Sequence, residues 1–367
     1  MTAKRYDIHG LVEVVIGADV CAEVVKEIDF QIGAFRVAAN TQSLTAMPQV
    51  LVRSYAAAAE YDNEKGSNDA VFYQDRGEVG KFVRSDAERC FVGKTPNGYV
   101  ICADYANFLI NLYIQLLLVG QGMTMAHAAG YQSSSGSITL LAGAGGIGKT
   151  AVLGYAVTER GLQHLGDDVV VLDAKGICRA FPRQFVLKSY HKELYADVFK
   201  KKSLPTWNVY KFKRFVIENA PLTGVLKKFL KRSGCYYNVA NLLRPQSFLA
   251  TIPPDELFGE GSLAREGNIS RIIYLDRSFK PQFARHGIEK EVLVNRLFSV
   301  MHHEWKDFMT HLLTLGALSV TDVARYMEMS IAVFREIAAR GELIQIDVPM
   351  KAAPRQLIEY LDQQGFF

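Results

Sequence analysis

The strongest chemical signal in this sequence is a glycine-rich loop made of Gly143, Ala144, Gly145, Gly146, Ile147, Gly148, Lys149 and Thr150. The segment matches the pattern G-x-x-x-x-G-K-S/T at every fixed position. In that pattern the glycines let successive backbone N–H groups point at phosphate oxygens, the lysine adds a positive charge, and the threonine hydroxyl can bind Mg²⁺. An apolar strand precedes the loop and a helix that includes Ala151 follows it, which favours phosphate binding over a chance turn. We therefore predict that residues 143–151 bind a nucleotide.

Acidic residues lie at three places where apolar strands begin or end: Asp167 with Asp168, Asp173, and Asp276. A single Asp at a strand end is more often a turn residue than a metal ligand. The adjacent pair is harder to explain, because two carboxylates beside an apolar strand repel each other unless a cation or a shared proton compensates. The pair follows Lys149 by 18 and 19 residues, which leaves room for one helix and one returning strand. We predict one metal ligand and one general base in this pair, with Asp173 and Asp276 as alternatives.

His127 stands upstream of the loop, in a predicted strand of small and apolar residues. Taken alone, such a histidine is more often a packed core residue than a catalytic one. The motifs that accompany His127 change that interpretation. A histidine in a short strand, the glycine-rich loop, a helix ending in Gly161, and Asp167-Asp168 before an apolar strand together resemble the HPr kinase/phosphorylase family. More broadly, the series resembles the HPr kinase-related kinases, whose core is shared with phosphoenolpyruvate carboxykinase.

The resemblance covers about residues 106–175 and is weaker over 176–290. It implies a kinase that uses ATP and Mg²⁺, in which His127 assists at the phosphoryl site, Asp167 is the base on the acceptor hydroxyl, and Asp168 binds Mg²⁺ together with Thr150. The loop departs from the family pattern G-D-S-G-V-G-K-S, and the family's E-I-R-G-L-G-I-I-D stretch is not found. We therefore expect a divergent member that phosphorylates a small hydroxylated molecule or a Ser or Thr in a peptide.

The elements that must position these residues follow an α/β pattern, with a strand, a glycine-rich turn, a helix and a returning strand. The fold class that we predict is an α/β P-loop kinase core of the HPr kinase/PEP carboxykinase-like type over 106–289. A β-rich N-terminal domain would precede it over 1–105, and a helical region with an extended run at Leu343–Val348 would follow over 290–367. In the N-terminal domain the predicted strands are Leu11–Ile16, Phe30–Val37, Gln49–Arg53, Ala70–Tyr73 and Gly98–Cys102.

The predicted function is an ATP- and Mg²⁺-dependent phosphotransferase, with Arg183, Arg244 and Arg271 as candidate clamps on substrate charge. The alternative is a nucleotide-binding regulator or an ATPase whose residues 318–344 form a helix-turn-helix-like region that binds a partner. A second helix after Ser330 would complete that region, although the apolar start of this helix favours an ordinary helix pair over a DNA reader. The absence of N-K-x-D from the sequence lowers the weight of a GTPase.

Composition limits the partners. The chain has 367 residues, of which 49% are hydrophobic and 22% charged, and 42 Lys and Arg against 38 Asp and Glu give a net charge of +4. This composition excludes a disordered chain and a polycation, so we expect no nucleic acid partner. The segment 188–232 is locally basic, which indicates a solvated surface or an anionic acceptor. The sequence has five cysteines without C-x-x-C, no signal-like start and no long apolar run. These features predict a cytoplasmic protein that does not enter a membrane. A homo-oligomer is left open.

Overall fold

A computed structural model describes residues 2–38, 47–61, 71–75, 81–85, 89–105, 109–187 and 250–367, together with residues 195, 198 and 200. The chain divides into two compact units. The first contains residues 1–183 and 258–367, and the second contains residues 184–257. The fold is mixed α/β, as predicted. Almost all of the basic segment 188–232, and Arg244 with it, lies outside the described residues.

The N-terminal part of the first unit is built on a sheet whose described strands are β1 (Lys4–Ile8), β2 (Val12–Ile16), β3 (Arg36–Val37), β4 (Gln49–Arg53), β5 (Val71–Asp75), β6 (Lys81–Ser85), β7 (Cys90–Thr95) and β8 (Gly98–Ala103). Their order is β3-β1-β2-β4-β8-β7-β6-β5, with β2, β4 and β8 parallel. The sequence-based strands near β2, β4, β5 and β8 are confirmed.

The strand predicted over Phe30–Val37 is wrong for its first six residues. Helix α1 (Ala22–Ile32) and a 3₁₀ turn occupy them, and only Arg36 and Val37 are extended. The reason lies in the spacing of the buried residues, which are Val24, Val25, Ile28 and Ile32. Those positions recur with the helical period of 3.6, so they form one apolar stripe that packs on the sheet.

A second sheet carries the glycine-rich loop. Its described strands are β9 (Met123–Ala126), β10 (Ala128–Gln132), β11 (Ser137–Gly143), β12 (Gln163–Gly166), β13 (Val170–Asp173), β14 (Ile177–Ala180), β17 (Glu266–Ser278), β18 (Ala284–Gly287) and β19 (Glu342–Pro349). The order is β12-β10-β11-β17-β14-β13-β9, with β19 pairing β17 and β18. Strands β11 and β19 both run parallel to β17. The predicted extended run at Leu343–Val348 is thereby confirmed as part of β19. In the second unit, β15 (Phe185–Leu187) pairs antiparallel with β16 (Ala250–Ile252).

The remaining described helices are α2 (Ile110–Val119), α3 (Lys149–Thr158), α4 (Pro254–Phe258), α5 (Lys290–Glu304), α6 (Lys306–Ala317), α7 (Val323–Ala338) and α8 (Pro354–Gln363). Residues 323–338 form one continuous helix, so the prediction of a new helix after Ser330 is wrong. Ser330 is fully buried in the middle of α7, and no Gly or Pro interrupts the run. None of the helices in the described ranges has the length and the apolar character needed to cross a bilayer.

Candidate functional site

The glycine-rich loop connects the buried strand β11 to helix α3. Gly143 pairs with Leu275 on the neighbouring strand β17 and has a φ of +139°, and a Cβ at this position would collide with the Leu275 carbonyl oxygen. Gly148, with a φ of +115°, stands directly before the first residue of α3. Glycine is therefore required at both ends of the turn, because other residues rarely adopt these angles. The turn leads directly into the N-terminus of α3, and a helix N-terminus is a position that can bind an anion.

Lys149 begins α3, and its side chain is buried against the start of the loop. Its Nζ donates to the carbonyl oxygens of Gly143, at 2.6 Å, and Ala144, at 3.2 Å. The same Nζ lies 3.1 Å from His127 Nε2. Lys149 therefore joins the start of the loop to the segment that carries His127.

His127 occupies the junction between β9 and β10, and helix α2 fixes this junction. The Oε1 atom of the fully buried Gln115 accepts from Met125 N at 2.7 Å, while its Nε2 donates to Thr124 Oγ1 at 2.7 Å. Burial lowers the pKa of His127 to about 4, although the Asp168 charge opposes the shift. The imidazole is therefore neutral near pH 7. With Lys149 donating to Nε2, we assign the ring proton to Nδ1, which faces Asp168 Oδ1 at 3.2 Å.

Asp167 and Asp168 lie between β12 and β13, beside the loop, and their environments differ. Thr150 Oγ1 donates to Asp167 Oδ2 at 3.1 Å, while Asp167 Oδ1 is buried without a hydrogen-bond partner. Burial, followed by the neighbouring Asp168 charge, raises the pKa of Asp167 to about 7. Asp168 instead accepts from Arg183 Nη1 at 2.8 Å, and 39% of its side chain is exposed. The Asp168 carboxylate is thus held in an ion pair, while the Asp167 carboxylate has a pKa near neutrality, which is the range suited to a general base.

The oxygen atoms at this position fit Mg²⁺. The Thr150 hydroxyl and the carboxylates of Asp167 and Asp168 are hard oxygen donors, and Asp167 Oδ1 lacks a protein donor. Nowhere in the described ranges do three or more His, Cys, Asp or Glu side chains converge as a metal cage. Mg²⁺ is usually bound through one or two carboxylates plus substrate phosphates, and the two carboxylates beside the glycine-rich loop match that number of protein ligands.

Two residues at the loop were missed by sequence reasoning. Glu304 Oε1 accepts from Gly145 N at 2.7 Å, although Glu304 lies 159 residues further along the chain. Arg277 donates to the Gly146 carbonyl at 3.1 Å and to the Pro349 carbonyl at 3.0 Å. A signal existed for Arg277, which follows the buried strand segment ISRIIYLD. For Glu304 the sequence carried none, because its approach depends on how α5 packs.

The alternative acids have structural partners. Asp173 Oδ1 accepts from the backbone N–H groups of Lys175 and Ile177, and its Oδ2 accepts from Arg179 at 2.8 Å. These contacts hold the turn between β13 and β14. Asp276 Oδ2 accepts from Arg296 Nη1 of α5, also at 2.8 Å. Neither acid is among the residues that the structure brings together with Thr150.

Of the three candidate arginines, Arg183 reaches the acidic pair, and Arg244 lies outside the described residues. Arg271 is not brought to the loop. It pairs with Thr139, four residues before the Gly143–Leu275 pair, or about 13 Å along the strand. Its Nε donates to Glu342 at 2.9 Å, and its guanidinium lies over the Phe366 ring.

The comparisons with known proteins give little beyond this geometry. No family model matches the chain, and no curated protein matches it. Among solved structures, the chain is similar to the Hpr(Ser) kinase/phosphatase from Coxiella burnetii, with 11% sequence identity and a TM-score of 0.28. That match covers 66% of this chain and 97% of the other chain. At this TM-score, the function has to be argued from the residues of the chain itself.

Proposed function

We propose that this chain is an ATP- and Mg²⁺-dependent phosphotransferase that phosphorylates a hydroxyl group of a small molecule or of a Ser or Thr in a peptide. The observation that carries the proposal is the state of Asp167. Its carboxylate is hydrogen-bonded to Thr150 of the glycine-rich loop, its Oδ1 is buried without a partner, and its pKa is about 7. A base that titrates near neutrality and has an open acceptor atom beside the glycine-rich loop is what phosphoryl transfer to a hydroxyl group requires.

The chain's residues divide the work of phosphoryl transfer. The N–H groups of residues 143–151 and the Lys149 ammonium would bind the phosphates, so that the γ-phosphoryl group lies between the loop and Asp167. The acceptor hydroxyl would donate its proton to Asp167 Oδ1, and its oxygen would bond to the γ-phosphorus as the bond to the ADP oxygen breaks. Mg²⁺, when held by Thr150 and Asp168, would neutralise the charge on the phosphate oxygens.

His127 would act as a neutral group. It accepts from Lys149 at Nε2 and so holds the lysine in place, while its Nδ1 lies 3.2 Å from Asp168 Oδ1. A protonated His127 would lose its acceptor atom, and this explains why a buried imidazole with a lowered pKa fits the site. Arg183 neutralises Asp168 from the other side, at 2.8 Å. Most of the catalytic effect would therefore come from positioning and from charge.

A screen of hydroxyl acceptors with γ-labelled ATP tests the proposal. Label should pass to an acceptor in the presence of Mg²⁺, and Lys149→Ala and Asp167→Asn should each lower the transfer rate by at least about 100-fold, as expected for the loss of a phosphate contact or a general base. Glu328→Gln, which changes an exposed acid on α7, is the matched control and should keep full activity. Release of inorganic phosphate without transfer to any acceptor, dependent on Lys149 but not on Asp167, would support an ATPase instead.

A further inference from the structure

A carboxylate that the proposed reaction does not use lies on the glycine-rich loop. Glu304 Oε1 accepts from the backbone N–H of Gly145 at 2.7 Å. A Cβ added to Gly145 would lie 2.7 Å from Glu304 Oε2, so both carboxylate oxygens are against this face of the loop. The Glu304 charge also acts on His127 at the centre of the site, where it raises the pKa of the imidazole against the effect of burial.

The backbone beneath Glu304 is fixed by the core. Glu304 is the last residue of α5, and Trp305 N donates to Met301 O at 3.1 Å before α6 begins. Met301 is fully buried, and the buried ring of His302 contacts the Phe298 carbonyl at 2.7 Å. The end of the helix is therefore held rigidly while the Glu304 side chain projects to the loop.

The position of this acid is unfavourable for the helix itself. The C-terminus of a helix carries a partial negative charge, so a carboxylate in the last turn is repelled rather than stabilised. Glu304 is exposed, and its carboxylate accepts a hydrogen bond from Gly145 N although solvent is open to it. The contact therefore points to a role at the loop.

A carboxylate oxygen and a phosphate oxygen accept the same hydrogen bond from a loop amide. We propose that Glu304 competes with the phosphates of the nucleotide for the Gly145 amide and thereby selects the metal-bound nucleotide over the free polyanion. A free nucleotide brings its full negative charge next to the Glu304 carboxylate and is repelled. A divalent cation bound to the phosphates offsets that repulsion, so the metal-bound form displaces Glu304 more easily. This inference rests on the proposed function, because it assumes that the loop binds nucleotide phosphates.

The test is a calorimetric titration of the full chain with ADP at low ionic strength, first with a chelator and then with Mg²⁺. Glu304→Gln keeps an acceptor of the same shape and removes the charge. Without metal it should bind ADP roughly five-fold more tightly than the wild type, as expected for one unit charge removed a few ångströms from a phosphate in a solvated site. With Mg²⁺ the difference should shrink, and it should also fade at high salt. The control is Glu291→Gln, an exposed acid at the other end of α5 that pairs with Arg335, and its affinity should equal that of the wild type.

The outcomes separate this inference from the proposed function. The inference is overturned if Glu304→Gln and Glu291→Gln bind metal-free ADP with the same affinity. It is also overturned if Glu304→Gln binds ADP more weakly than the wild type in the presence of Mg²⁺, because Glu304 would then be a group that holds the cation. Lys149→Ala shows whether ADP binds at the loop. If the tighter binding of metal-free ADP by Glu304→Gln requires Lys149 while no acceptor is ever phosphorylated, the inference stands and the proposed function fails. If neither the wild type nor Glu304→Gln binds ADP through Lys149, both are overturned.

Discussion

The raised pKa of Asp167 makes a prediction about stability that needs neither nucleotide nor acceptor. Burial and the Asp168 charge raise this pKa from its ordinary value of 3.8 to about 7. A carboxyl whose pKa is raised by folding keeps its proton in the folded chain at pH values where the unfolded chain has lost it. Its contribution to stability is therefore complete below pH 3.8 and is lost as the pH rises through about 7. Removing the ionisable group should flatten this part of the stability profile.

Asp167→Asn makes that change with little change of shape, because the amide keeps an acceptor oxygen for Thr150. Integrating the linkage relation with the two pKa values shows that the wild type loses about 1–2 kcal/mol of stability between about pH 5.5 and about pH 8. The lower figure allows for solvent screening of a partly exposed residue. The variant lacks this loss. Its free energy of unfolding should therefore rise relative to that of the wild type by the same amount over the interval.

The assay is urea unfolding of both proteins at the two pH values, with a chelator present to remove divalent cations. Other groups titrate in the same interval, among them His127, whose lowered pKa makes stability rise as the pH increases from about 4. These contributions are common to both proteins and cancel in the difference, as long as the substitution leaves them undisturbed. Glu328→Gln, at an exposed position, should show no difference from the wild type in its pH response. If Asp167→Asn and the wild type change equally between the two pH values, Asp167 is an ordinary carboxyl, and the argument for a general base at this position fails.

Two further predictions concern the acids in catalysis. Asp168→Asn should raise the Mg²⁺ concentration needed for half-maximal phosphoryl transfer several-fold. Asp173→Asn should turn over at near the wild-type rate, because Asp173 holds a turn. A natively folded but inactive Asp173→Asn would refute this assignment. The kcat/KM for transfer should fall about tenfold per pH unit below about pH 7 as Asp167 becomes protonated, and an acid limb centred near pH 4 would instead identify His127 as the titrating group.

The sequence predicted those parts of the site that local pattern determines. The loop, its preceding strand and its following helix are contiguous in the sequence from Ser137 to Thr158, and Gly143, Gly146 and Gly148 each have a positive φ that favours glycine. The spacing from Lys149 to Asp167 is one helix and one returning strand, and Asp167 does lie within hydrogen-bond distance of Thr150. Helix α1 was missed because its apolar stripe stands among short extended segments, so a search for alternating residues read part of it as a strand.

The contacts that pattern could not predict join residues far apart in the sequence. Glu304 and Gly145 meet because α5 packs against the second sheet and ends at the loop. Arg277 reaches Gly146 because β17 is the parallel neighbour of β11, a pairing that depends on the order of the strands. The position of Arg277 after a buried strand marked it as a strand-end residue, but the loop contacts of both residues depend on tertiary packing.

The N-terminal sheet shows how far the support of the site extends. Residues 1–105 contain no motif with recognisable chemistry, yet Phe30 of α1 lies under the guanidinium of Arg183, which is 5.1 Å from the ring centroid. Arg183 in turn pairs with Asp168 at 2.8 Å, and His9 contacts the Ala180 carbonyl at 2.6 Å on the strand just before it. A guanidinium that stacks on an aromatic ring loses little freedom when it binds a carboxylate, so the ring fixes the direction of the Arg183–Asp168 pair. The acid that we assign to Mg²⁺ is therefore held in part through Phe30 of helix α1, which makes the N-terminal part of the chain a structural support of the site.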